Sequence, residues 1–203
     1  TAVDAQILGE LTGITAAGPG TWSLEQTAWT AFNFPDRVTF HDDRLCFAKD
    51  STVNMSRVDD FVNFSAGAKD SDAVEITFAS GDVTPSITWL ISAEDLFVGS
   101  DVGEYKIQGG ENGITPSTRR VIPATSTGSA PIPGIKLDSA VIFVEKGRDR
   151  VREMQFELQS NTYVSRNLTL LAEHIPQGDI IQVSRQKRPH DILWYVNGKK
   201  QAC

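Results

Sequence analysis

Apolar and polar residues alternate with period two through much of this chain, most clearly over residues 74–110. Val74-Glu75-Ile76-Thr77-Phe78 alternates, as does Ser86-Ile87-Thr88-Trp89-Leu90-Ile91, and Asp95-Leu96-Phe97-Val98-Gly99 and Tyr105-Lys106-Ile107 follow. Successive side chains of a strand point to opposite faces, so this period marks half-buried strands. Ser80-Gly81-Asp82, Ala93-Glu94-Asp95, Asp101-Val102-Gly103 and Gly109-Gly110 punctuate the runs as turns. The pattern predicts a four-stranded antiparallel meander over residues 74–110, with Trp89 and Leu96 on apolar interfaces.

The same unit recurs. Arg44-Leu45-Cys46-Phe47, Asp95-Leu96-Phe97-Val98, Ala140-Val141-Ile142-Phe143 and Asp191-Ile192-Leu193-Trp194 align on anchors 45, 96, 141 and 192, which are 51, 45 and 51 residues apart. After the first three anchors comes a charged or glycine-containing turn and a second strand: Val53-Asn54-Met55, Tyr105-Lys106-Ile107 and Arg150 to Phe156. Repeats of roughly 40–50 residues with several strands each are the mark of β-propeller blades. One meander cannot bury both faces alone, so blades stack. The expected fold is all-β, with propeller-like blades of four-stranded antiparallel meanders; a β-sandwich is the alternative. The chain reads as a single β-rich domain over 1–203, with units at 36–70, 74–122, 135–160 and 179–203, the last truncated.

Three stretches depart from alternation. Residues 165–176 predict one short helix, capped by Ser165 or Asn167, with Leu168, Leu171, Ala172 and Ile175 on one face and Pro176 as its stop. Residues 22–34, with Trp22, Leu24, Ala28, Trp29 and Phe32, suit a short helix or an irregular apolar anchor. Pro123 to Pro133, rich in Ser, Thr, Ala and Gly, reads as a loop and the best candidate for a mobile segment.

Charge narrows the function classes. With 203 residues and a net charge of −7, the chain lacks the basic balance of a general nucleic-acid binder. Cys46 and Cys203 form neither a disulfide framework nor a zinc-site spacing. No apolar run approaches the ~18 residues of a membrane-spanning helix, and Thr1 to Glu10 have no secretory-signal pattern. The absence of an initiator Met and the stop at Gly198 to Cys203, just after a strand pattern, suggest a piece of a longer polypeptide whose further strands complete the last blade.

A search for chemistry returns no constellation. His41, His174 and His190 lack metal-ligand spacing and read as ordinary surface or loop residues. No nucleophile elbow and no phosphate-cradling loop occurs; Gly109-Gly110-Glu111-Asn112-Gly113 is a turn cluster. Asp70, Asp72 and Glu75 read as a solvated acidic turn, without the ligand spacing of a calcium loop. Asp101-Val102-Gly103-Glu104-Tyr105 resembles the Asp-box hairpin of sialidase-type propellers but has Gly99 where that box wants Ser or Thr, so it reads as a plain hairpin turn. Arg148, Arg150 and Arg152, and the Arg119-Arg120 pair, are expected to meet neighbouring acids such as Asp149 and Glu153 rather than phosphate. Asn54, Asn63 and Asn167 head glycosylation-type tripeptides that carry little weight without a secretory signal. No catalytic, cofactor-binding or metal-binding residue is expected, and the chain is not expected to be an enzyme.

Ordered short motifs do point to a family. Trp22, Ala28-Trp29 and then Phe34-Pro35-Asp36-Arg37-Val38-Thr39-Phe40-His41-Asp42-Asp43-Arg44-Leu45-Cys46-Phe47-Ala48 resemble the opening stretch of podovirus tail nozzle proteins, also called tail tubular protein B or packaged-DNA stabilisation proteins. Asp59 to Phe64, Asp72 to Gly81, Ile87-Thr88-Trp89-Leu90, Val141 to Val144, Arg150 to Glu153 and Asn167 to His174 continue the resemblance in order, from about residue 22 to 197. Cys46 departs from the usual Trp or aliphatic residue, and family members are several times longer. The resemblance implies a structural virion protein of the phage tail, made in the bacterial host cytoplasm. It implies a homo-oligomeric ring, a hexamer, in contact with portal or adaptor and with tail fibre or spike proteins. DNA is retained and then passes through the channel without specific binding; no cofactor and no membrane is involved.

Two other classes compete. A carbohydrate- or receptor-binding propeller needs an open aromatic platform, for which Trp22, Trp29, Trp89 and Trp194 are the candidates, although alternation places Trp89 and Trp194 in the core. A glycosidase needs two carboxylates about 5–10 Å apart, and no spacing singles out such a pair.

Overall fold

Aspartates set the corners of this molecule. Asp42 and Asp43 both have positive φ, 47° and 53°, in the two-residue link between His41 and Arg44, which pair directly. Such a link needs φ > 0 at both positions, and Asp accepts that conformation more readily than most residues. Asp50 (φ 50°), Asp138 (φ 52°) and Asn161 (φ 52°) do the same in three further hairpins.

The computed structural model describes residues 34–79, 83–172, 176 and 178–198. They form strands and no helix. β1 (Arg37–His41), β2 (Arg44–Lys49), β3 (Thr52–Met55) and β4 (Val74–Thr77) make the first sheet. β5 (Ile87–Ser92), β6 (Leu96–Ser100), β7 (Glu104–Gln108) and β8 (Arg120–Thr125) make the second. β9 (Ile135–Leu137), β10 (Ala140–Val144), β11 (Val151–Glu157) and β12 (Thr162–Asn167) make the third, and β13 (Ile180–Gln186) with β14 (Ile192–Asn197) form a two-stranded fourth. Every strand pair is antiparallel and every sheet keeps chain order. The anchors 45, 96, 141 and 192 fall on β2, β6, β10 and β14, the second strand of each sheet.

Successive sheets stack through three apolar seams. Cys46, Val53, Met55 and Ile76 of the first sheet meet Leu96, Val98 and Ile107 of the second. Trp89, Ile91 and Phe97 meet Val141, Phe143 and Met154 of the third. Ile142, Val144 and Val151 meet Ile180, Val183 and Leu193 of the last. The period of two explains how one strand serves two seams: Val98 faces back and Phe97 forward, as Phe143 faces back and Ile142 forward. Trp89 is 1% exposed and Leu96 fully buried. Gly99 is required beside Trp89, because a Cβ there would lie 2.0 Å from the indole Cε2. On the outer face of the first sheet, Phe40 meets Phe61 edge-on at 5.3 Å, with Val38 and Phe40 exposed.

Several expectations are corrected. Val74–Thr77 closes the first sheet by pairing with β3 and does not open the second, so the four-stranded meander around 86–110 is completed by β8. The long excursion of residues 56–73 separates β4 from its partner in sequence, which hid the pairing. The expected helix at 165–176 is absent over its described part: Ser165 to Asn167 belong to β12, and Leu168 to Leu171 form a turn. Asn167 Oδ1 accepts hydrogen bonds from Thr169 N at 2.9 Å and Thr169 Oγ1 at 2.8 Å, a local turn that competes with a helix start. Glu173 to Ile175 lie outside the described residues, as do Trp22 to Asn33. The 123–133 segment is tied down: β8 takes Pro123 to Thr125, while Ser129, Ala130 and Ile132 are buried. Ala130 N donates to Val144 O at 2.9 Å. Trp194 is 43% exposed, because Leu193 and Tyr195 take the core face of β14.

Candidate functional site

In each of the three four-stranded sheets, the turn after the second strand holds the segment that leads into the next sheet. Ile87 N, opening β5, donates to Asp50 O in the β2–β3 turn at 2.7 Å. Ser129 N, before β9, donates to Ser100 O at the β6–β7 turn at 2.7 Å, and Ile180 N, opening β13, donates to Arg148 O in the β10–β11 turn at 2.8 Å. Asp101 strengthens the middle junction. Its Oδ1 accepts from Ser86 N at 2.8 Å and its Oδ2 from Lys146 Nζ at 3.2 Å. Burial opposes ionisation there, yet the Ser86 N–H and the Lys146 ammonium hold the carboxyl below its ordinary range. Gly128 (φ +80°) lies against this turn, where a Cβ would stand 2.7 Å from Asp101 O.

Buried polar groups fix the same seams. Glu104 is fully buried and accepts from Ser129 Oγ at 2.6 Å and from Thr125 Oγ1. Burial raises its pKa above the ordinary value despite those donors. Arg44 is 1% exposed and donates to the carbonyls of Ser56 (2.7 Å), Asp72 (2.6 Å) and Asp70 (2.6 Å), clasping the 56–73 excursion. His41 is buried, contrary to the surface or loop position expected for it. Its Nδ1 lies 2.9 Å from Ser92 Oγ and its Nε2 3.4 Å from Asp42 Oδ2, bringing together a serine, an imidazole and a carboxylate. The ring sits in the seam where β1 adjoins β5. The His41–Ser92 contact ties β1 to β5, and neither residue lines the two clefts that follow. Loss of solvation on burial lowers the His41 pKa, with Asp42 and Asp95 acting the other way.

A cleft of about 430 Å³ lies between the second and third sheets. Phe97, Phe156 and Tyr163 form its aromatic wall. Phe156 and Tyr163 are directly opposed on β11 and β12, with ring centroids 5.2 Å apart and edge-on; Phe97 meets Tyr163 edge-on at 5.4 Å. Lys106 Nζ lies 2.9 Å from Asp95 Oδ2 and 5.6 Å from the Tyr163 ring centroid. Glu94, Gln108, Lys136, Asp138 and Ser139 line the remainder. A second cleft of about 320 Å³ runs along the β11–β12 hairpin beside Leu158, Val164 and Arg166.

The remaining sequence candidates do not converge. His190 is exposed and lies far along the chain on the approach to β14, and His174 lies outside the described residues. Asp72 Oδ1 pairs with Arg57 at 3.3 Å and its Oδ2 accepts from Lys69 N at 3.0 Å, while Glu75 stands exposed on β4. Among the described residues no cluster of His, Cys, Asp and Glu is arranged to hold a metal. Arg152 pairs with Glu145 at 2.8 Å and Arg150 with Asp149 at 3.8 Å. Burial pushes the Cys46 thiol up to about 12. Trp89 lies in the core, and Trp194, half-exposed on β14, donates to Gln186 Oε1 at 2.9 Å and lines neither cleft. The cleft aromatics went unnoticed in the sequence; the signal that could have found them is the cross-strand Phe156–Tyr163 pair. Comparison with protein-family models and with curated proteins returns no match.

Proposed function

We propose that this chain is a structural component of a phage virion, a blade-bearing segment of the tail nozzle that retains DNA and then conducts it from the capsid. The observation that carries this reading is the stack itself. Three four-stranded sheets and a hairpin follow one another face to face, with β1 beside β5, β5 beside β9 and β9 beside β13 along one edge. Such a stack of repeated units is a wall-building device. Its net charge of −7 suits a wall past which DNA slides without adhering. The ordered motifs from Phe34 to Ala48 and onward resemble those of podovirus tail nozzle proteins, and that resemblance brings the reading of a homo-oligomeric ring beneath the portal. The buried polar groups fit a rigid part: Arg44, Glu104 and His41 are each consumed in holding seams or loops. The test is deletion of the encoding gene from the phage. The expected result is loss of infectivity with DNA packaging retained; normal tails by electron microscopy after the deletion would refute the reading.

A further inference from the structure

We propose that the cleft between the second and third sheets binds a neutral saccharide of one or two sugar rings, a role independent of the nozzle reading. Its volume of about 430 Å³ falls at the lower end of small-molecule sites, roughly 300–1,000 Å³. Phe156 is 40% exposed although Tyr163 supports its ring edge-on from the opposite strand. A supported, half-open aromatic ring offers an apolar surface to the C–H face of a pyranose. Gln108 and Ser139 supply both donors and acceptors, and Glu94 and Asp138 supply strong acceptors for hydroxyl protons.

Charge decides among ligand classes. Asp95 neutralises Lys106 at 2.9 Å. Of the other charged lining groups, Glu94 and Asp138 outnumber Lys136. That balance disfavours a phosphate, a sulfate or a uronic acid. A cationic ligand would use the Tyr163 face, but Lys106 already stands over that ring at 5.6 Å. A wholly apolar ligand would cover the Gln108 amide without offering it a partner. A neutral polyol with one apolar face meets all three conditions.

The experiment is saturation-transfer NMR on the full chain with lactose, maltose and N,N′-diacetylchitobiose, beside glucuronate and choline as anionic and cationic controls. At least one neutral disaccharide is expected to receive saturation and to shift the Tyr163 ring resonances. Phe156→Ala, at a half-exposed position, is expected to weaken that binding about tenfold, with an unchanged circular dichroism spectrum. Should Phe156→Ala fail to fold, Asp138→Asn and Glu94→Gln decide: both lie on exposed turns, and Asn tolerates the positive φ at residue 138. Each is expected to weaken the same disaccharide several-fold. No transfer to any of the three disaccharides overturns the proposal. So does binding unaltered by the variants, or binding of glucuronate or choline as tight as that of the disaccharides.

Discussion

At the residue scale, three side chains give measurable consequences. Trp89 is buried between two sheets, in contact with Phe143 at a centroid distance of 5.8 Å. Trp89→Ala is expected to cost about 3–5 kcal/mol by urea denaturation, combining lost transfer energy with an unfilled cavity. Cys46 is fully buried and its thiol is pushed up to about 12, so almost no thiolate exists at neutral pH. In a Cys203→Ser background, an aromatic disulfide reagent is expected to leave Cys46 unlabelled until the protein is unfolded. Glu104 titrates with the opposite sign to a typical paired carboxylate. Its raised pKa means that the folded state binds the proton more tightly than the unfolded chain. Its effect on stability is therefore absent below the ordinary carboxylate pKa and becomes a cost as pH rises through the folded value. Glu104→Gln removes that slope, so its urea midpoint is expected to gain on the parent protein as pH rises above the ordinary carboxylate range.

At the element scale, the turns govern the outcome. Asp101→Ala deletes the acceptor for Ser86 N and the partner of Lys146 while leaving the hairpin backbone its glycine. A cost of about 1–2 kcal/mol is expected by thermal or urea unfolding, from two charge-assisted contacts at a partly exposed site. Strands were legible in the sequence wherever alternation met a strong turn signal, as at Leu96 to Ile107, and the anchors marked the second strand of every sheet. Partnership was less legible. Nothing local in Val74–Thr77 says that it pairs with Thr52–Met55, because the intervening excursion is held by Arg44 through backbone carbonyls, a contact without a sequence period. The 165–176 stretch misled for a different reason. Leu168 and Leu171 have helical spacing, but Leu168 is half-exposed and Leu171 97% exposed, so burial rewards neither as a helix face. Only the Phe156–Tyr163 pair of the cleft could be read along one hairpin; Phe97 and Tyr163 meet only after stacking.

At the scale of the whole molecule, stacking and charge act together. Each inner sheet is sandwiched between neighbours, and in the third sheet and its turn Arg150, Arg152 and Arg166 pair with Asp149, Glu145 and Glu157. A net charge of −7 offers duplex DNA no release of counterions. Electrophoretic mobility shift at physiological salt is expected to show no retained complex with a 30-base-pair duplex, and tight binding that falls steeply with added salt would contradict the passive wall proposed above.

The junction hydrogen bonds also give the chain a direction in time. In each junction the carbonyl acceptor, at Asp50, Ser100 or Arg148, precedes in sequence the amide that docks on it, at Ile87, Ser129 or Ile180. A ribosome therefore releases every holding turn before the segment it will hold. Nascent chains fold as their earlier parts become available, so each sheet can close on a finished neighbour without waiting for the far end of the polypeptide. Folding in step with synthesis would then add the sheets in chain order, each new segment meeting its acceptor carbonyl already made.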